Sequence, residues 1–175
     1  LEEANSVALV EGLMDGRLDV AVLRPSESDP PELSFYRLAV ESLIAVLPAA
    51  HPAAKGGRSI DLLSLRDDPI ILTPREIGIS LHDSVLAACR TAGFEPTLGQ
   101  PAPQFASILS LVSAEQGVSL VPESMQQLNL KGIVFRKIRG SSHTVNLAIA
   151  LQRTRPPQLA VNFVSLARAV SGHSP

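Results

Sequence analysis

Apolar runs that lack a polar face alternate along this chain with segments of helical periodicity, and this alternation restricts the fold more than any other feature. VAVL (20–23), SLIAVLP (42–48), PIIL (69–72), GVSLVP (117–122) and VNLAIALQ (145–152) are each short and apolar on consecutive residues. A strand of this kind needs cover on both faces, as in a sheet lined by helices on each side. LSFYRL (33–38) alternates weakly, and GIVFRKI (132–138) reads as a partly exposed strand. Between the runs lie helix signals. Asn5–Ser6 caps a helix with Val7, Val10, Leu13 and Met14 on one face, stopped by Gly16. Ser59 caps a short helix in SIDLLSL (59–65). A longer helix covers Ser80–Ala92, where Ser80 and Asp83 resemble a capping box with Asp in place of Glu or Gln, and Gly93 and Pro96 close it. Phe105, Ile108, Leu109 and Val112 recur at i, i+3, i+4 and i+7. Leu159, Phe163, Leu166 and Val170 mark the apolar face of a last helix. The pattern predicts an α/β fold with largely parallel sheets.

Composition narrows the function. With 175 residues and 45% hydrophobic content, the chain fills one ordinary core or two small lobes. The formal charge is −2 and the sequence pI about 6.1. Lys and Arg are scattered and aromatics make up 3% with no Trp, which argues against a basic or base-stacking nucleic-acid surface. The single cysteine, Cys89, has no partner in the chain for a disulfide and points to a reducing compartment. No apolar run is long enough to span a bilayer. No signal peptide opens the chain, and Leu1 is not a natural start, so the sequence reads as cut from a longer protein.

No catalytic constellation assembles. His51, His82, His143 and His173 are far apart and lack metal-ligand spacing, so no metal or cofactor is expected. No nucleophile elbow, P-loop or dinucleotide-binding glycine pattern occurs. Cys89 shares a helix face with Val85 and Ala92 and reads as a small core residue. Asp67–Asp68 reads as a solvated turn, and Ser119 lies in a strand with no acid–base pair in view.

One stretch remains, ILTPREIGIS (71–80). In open α/β sheets ligands bind beyond the carboxyl ends of strands. PIIL ends at Leu72, so Thr73 to Ser80 occupies that place. The first N–H groups of the next helix lack intrahelical partners, and the helix dipole is positive there. An anion fits that end, with Arg75 adding charge and Thr73 and Ser80 adding hydroxyls. A capped helix with a solvated arginine accounts for the same residues. Other strand ends and helix starts fall at Arg24, at Pro122 and at PAPQ (101–104), and Arg24 alone reads equally as a surface arginine.

Five blocks in order carry a family likeness: LVEGLMDGRLDVAVLRP, ESLIAVLPAAHPAA, IDLLSLRDDPIIL, LAACRTAGFEP and ILSLVSAEQGVSLVPESM. Together they resemble the effector-binding domain of LysR-type transcriptional regulators over nearly the whole chain. The resemblance implies two Rossmann-like α/β lobes joined by two crossover segments, as in type 2 periplasmic binding proteins. Residues 1–39 and 145–175 then form the first lobe and 40–144 the second. It implies a small inducer, often a carboxylate, bound between the lobes. Thr73, Pro74, Arg75, Ile79 and Ser80 match the family's effector loop, Arg24 matches a position facing the effector, and Gln104, Phe105 and Pro122 lie beside the same cleft. It also implies a cytoplasmic homodimer or tetramer, with no membrane partner, that meets operator DNA only through an N-terminal helix-turn-helix outside this chain. The domain's first strand and first helix fall outside it too, and LEEANS reads as the tail of the second strand. A solute-binding protein of a transport system shares the expected fold and is the alternative. An enzyme is the third reading, disfavoured by the missing nucleophile–base pair.

Overall fold

The computed structural model describes residues 1–140 and 142–171; His173 lies outside the described residues. Among them lie four α-helices and six strands. The helices are α1 (Ser6–Met14), α2 (Ile79–Thr91), α3 (Phe105–Ser113) and α4 (Gln158–Val170). The strands are β1 (Ala21–Leu23), β2 (Leu33–Pro48), β3 (Ser59–Ile60), β4 (Ser119–Pro122), β5 (Ile133–Ile138) and β6 (Thr144–Gln152). The strand order is β1-β6-β2-β5-β3, with β4 pairing β2. The backbone divides into two compact units. One holds Leu1–Val40, Glu76–Ser80 and the segment from Asn146 onward; the other holds Glu41–Arg75 and Leu81–Val145. β2 and β6 each run from one unit into the other.

In the first unit β1 lies antiparallel to β6, with Val22 opposite Ile149. Side chains alternate across a strand, so Ala150 faces one side and Ile149 and Leu151 the other. Leu9 and Leu13 of α1 pack with Ala21, Leu23 and Ala150. Asn5 caps α1 through its side-chain oxygen, which accepts from the Ala8 N–H at 2.9 Å, and Gly16 takes φ +76° just past the helix. On the opposite face Ala160 and Val164 of α4 pack with Ile149 and Leu151. This corrects the expected face of α4. Leu159, Phe163, Leu166 and Val170 are 82%, 45%, 68% and 83% exposed. The helix carries apolar residues on two stripes, and the smaller residues sit on the sheet while the larger ones point outward.

In the second unit the buried half of β2 is a central strand with a core on each face. Leu43, Ala45 and Leu47 pack with Leu81, Val85, Ala88 and Cys89 of α2. Ile44 and Val46 pack with Ile108, Leu109 and Val112 of α3. The doubly apolar SLIAVLP thus has the two-sided cover its composition demands. Strand direction departs from expectation. β2 is antiparallel to both β4 and β5, as β1 is to β6, while β3 pairs β5 in parallel. A consecutive apolar run reports burial on both faces but carries no information about which way its neighbours run. PIIL is extended rather than a regular strand, with parallel bridges from Ile70 to Leu98 and to Val118. Ser59 lies in β3, and the short turn of helix at Leu62–Leu65 is capped instead by Asp61, whose carboxylate accepts from the Leu63 N–H at 3.0 Å.

Candidate functional site

The candidate site is built on residues 69–83. Ile70, Ile71 and Leu72 are buried. Their backbone is fixed on both sides: the Ile71 N–H donates to Val118 at 2.8 Å and the Ala102 N–H to the Leu72 carbonyl at 3.2 Å. Thr73 follows, 8% exposed, and its carbonyl accepts from His82 Nδ1 at 2.9 Å. A carbonyl only accepts, so Nδ1 of His82 carries the proton in this bond. His82 is itself buried in the first turns of α2. The imidazole thereby ties the end of the PIIL segment to the start of the helix.

Beyond Pro74 the chain turns outward at Arg75. Its guanidinium grips Asp83 with two parallel bonds, Nε to Oδ1 at 2.8 Å and Nη2 to Oδ2 at 2.9 Å. The hydrogen bonds from Arg75 hold the Asp83 carboxyl below its usual range; burial opposes them as the next-largest influence, and the charges of Arg75, His82 and Arg90 add attraction. The capping-box expectation is corrected here. α2 begins at Ile79, so Ser80 lies inside its first turn, and the Asp83 carboxylate turns to Arg75. Ile79 and Ser80 are half-buried. The site therefore combines an exposed guanidinium, the first turn of α2 and a strand end pinned by a histidine.

The remaining predicted residues fall as follows. Gln104 is exposed and precedes α3 without a capping bond from its side chain. Phe105 is half-buried and packs against both cores of its unit, including the cluster that holds Leu72 and Leu81. Pro122 ends β4, buried opposite Leu43. Arg24 follows β1 in the first unit, and its backbone N–H donates to Ser6 Oγ at 3.4 Å. His82 escaped the sequence reading as a site residue, because only the fold brings a ring nitrogen to a carbonyl nine residues back, and Asp83 entered it only as half of a capping box. Asp68 was also misread as solvated. It pairs with His51 Nε2 at 3.2 Å, while His51 Nδ1 accepts from the Ala53 N–H at 3.1 Å.

Nucleophiles are poorly placed. Cys89 is fully buried, and burial, with a contribution from Glu95, pushes its thiol up to about 11. The Ser119 hydroxyl is buried beside the Leu120 carbonyl. Among the described residues no three His, Cys, Asp or Glu side chains group to hold a metal ion, and no described helix is long and apolar enough to cross a membrane.

Comparison with known proteins agrees with this architecture. The family model of the LysR substrate binding domain matches residues 1–171. The regulator BudR of Raoultella terrigena is 28% identical over 94% of this chain and 56% of its own length. AlsR of Bacillus subtilis (strain 168) is 28% identical over 95% and 54%. The chain therefore spans about half the length of these curated relatives. Among solved structures, full-length CbnR complexed with its target DNA superposes at TM-score 0.84 with 25% identity, covering 98% of this chain and 59% of that one. The BenM effector-binding domain with benzoate gives 0.76 and 25%, covering 100% and 80%. The QuiR effector-binding domain with shikimate gives 0.82 and 22%, covering 96% and 78%, and speaks for the fold alone. These likenesses establish the two-lobed fold resembling type 2 periplasmic binding proteins. The relatives are HTH-type transcriptional regulators rather than enzymes or solute carriers. The chain belongs to the LysR substrate binding domain family, the effector-binding domain of LysR-type transcriptional regulators.

Proposed function

We propose that this chain senses a small carboxylate for a regulator whose DNA-binding helix-turn-helix lies outside residues 1–175, and that the carboxylate binds at Thr73–Ser80. The observation that carries the reading is Arg75. Its planar fork already holds one carboxylate in bidentate geometry, beside the start of α2 and at the carboxyl end of the PIIL segment. Charge-assisted pairs of this geometry are the strong form of carboxylate recognition. Benzoate, named with the BenM domain, is a carboxylate. Pro74 and Ile79 supply the apolar wall of that stretch. In the complete protein, a cytoplasmic dimer or tetramer, the effector acts by favouring one arrangement of the domains over another, since a ligand shifts an equilibrium only through differential affinity.

Calorimetric titration of the complete regulator with small carboxylates and with the matching neutral amides tests this. Binding of at least one acid, with its amide much weaker, is the expected result. Heat from no acid, or equal binding of acid and amide, refutes it.

A further inference from the structure

We propose that Asp83 is an internal competitor for Arg75, an intramolecular carboxylate that an external one must displace, and that it thereby sets the affinity threshold of the site. This rests on the carboxylate reading above and adds the residue that regulates it. A guanidinium presents a limited number of edges on which two parallel N–H donors meet a carboxylate. Asp83 occupies the Nε/Nη2 edge completely, one oxygen on each nitrogen.

Three observations favour competition over a purely structural tie. The first is exposure: the side chains of Arg75 and Asp83 are 60% and 47% exposed, so water reaches the pair and the pair separates readily. The second is that a separate bond holds the chain at that point. His82, one residue before Asp83, already anchors the end of the PIIL segment through the Thr73 carbonyl. The third is local charge. Between Thr73 and Asp83 stand Arg75, Glu76 and Asp83 as charged groups, a balance of one positive against two negative. Arg90, a further cation felt by Asp83, is itself committed to Glu95 at 2.8 Å. An approaching anion therefore meets a neutralised arginine until Asp83 lets go. Weakly interacting anions are turned away, and an acid that adds apolar contacts at Pro74 and Ile79 overcomes the barrier.

The experiment uses the complete regulator. Arg75 is labelled with phenylglyoxal and its modification rate is followed by peptide mass spectrometry, in the wild type and in Asp83→Asn. Each protein is labelled with and without increasing benzoate or shikimate. Glu95→Gln, which removes a more exposed carboxylate from Arg90, is the control for general charge. Competition predicts faster labelling of Arg75 in Asp83→Asn, and protection by the acid at a concentration about fivefold lower, the size of an exposed ion pair; Glu95→Gln changes neither. Protection at the same or a higher concentration in Asp83→Asn overturns the proposal alone, since Asp83 then positions Arg75. An unchanged labelling rate overturns it as well. Protection in neither protein, while calorimetry registers an acid binding, overturns both this proposal and the placement of the site at Arg75.

Discussion

His82→Leu isolates the bond on which the geometry of residues 69–83 depends. The leucine fills a similar volume but has no donor for the Thr73 carbonyl, which His82 Nδ1 now serves at 2.9 Å. Both residues are buried, at 9% and 8% exposure, so water does not readily take the place of the ring. A buried acceptor deprived of its donor costs about 1–3 kcal/mol, and the matched volume adds little cavity cost. That energy is withdrawn from the closed state of the strand end. With about 1.4 kcal/mol per factor of ten, local opening rises by about 5- to 150-fold. Hydrogen exchange of the complete protein reads this directly where closing outpaces chemical exchange. The reporter amides are Ile71, bonded to Val118, and Ala102, bonded to Leu72. A peptide from β6 serves as the internal reference. Acceleration confined to the first two regions is expected. Less than about a twofold change at Ile71 and Ala102 refutes the assignment of His82 as the anchor.

Three further predictions follow from single residues. Gly117→Ala places a Cβ inside contact distance of the Pro69 carbonyl and 3.3 Å from Ile71 Cγ1, at φ +149°; urea unfolding registers a loss of about 3 kcal/mol, whereas Gly56→Ala, whose Cβ meets only the Ala53 carbonyl at 3.5 Å, stays near neutral. Cys89, with its thiol pushed up to about 11 by burial, reacts with a disulfide reagent only as the protein opens, and rapid stoichiometric labelling of the native protein contradicts this. The Asp83 carboxyl is depressed by the hydrogen bonds from Arg75, so the pair's contribution is present above the ordinary carboxylate pKa and is lost as pH falls through the lower folded value. The carboxyl carbon of Asp83 therefore titrates below 3.8 in the wild type and moves upward in Arg75→Ala; identical titrations refute the pairing.

Burial was readable from the chain, but partnership was read unevenly. Leu43 to Leu47 announced a strand covered on both faces because every side chain in it is apolar, and α2 and α3 supply that cover. Asn5 declared a cap because its short side chain reaches only the next few N–H groups. Direction, by contrast, leaves no mark on a strand whose two faces are equally apolar, so the antiparallel pairing of β2 was invisible. Asp83 looked like half of a capping box because the spacing from Ser80 fits one; the arginine eight residues earlier wins because a bidentate charged pair outcompetes a single backbone N–H. On α4 the large residues formed the more regular stripe, yet Ala160 and Val164 make the contact. Size and periodicity together do not decide which of two apolar faces meets the sheet. At the candidate site, Thr73, Arg75 and Ser80 were visible as a strand end, a charge and a helix start. His82 was not, since its partner is a backbone carbonyl that no side-chain pattern encodes.

The most direct test of a carboxylate held at Arg75 is a crystal structure of the complete regulator with the tightest-binding acid of the calorimetric panel. The account predicts ligand density with its carboxylate against the Arg75 guanidinium and the first turn of α2, and with Asp83 turned away from the fork. An acid bound with its carboxylate distant from Arg75, while the Arg75–Asp83 pair stays closed, contradicts it.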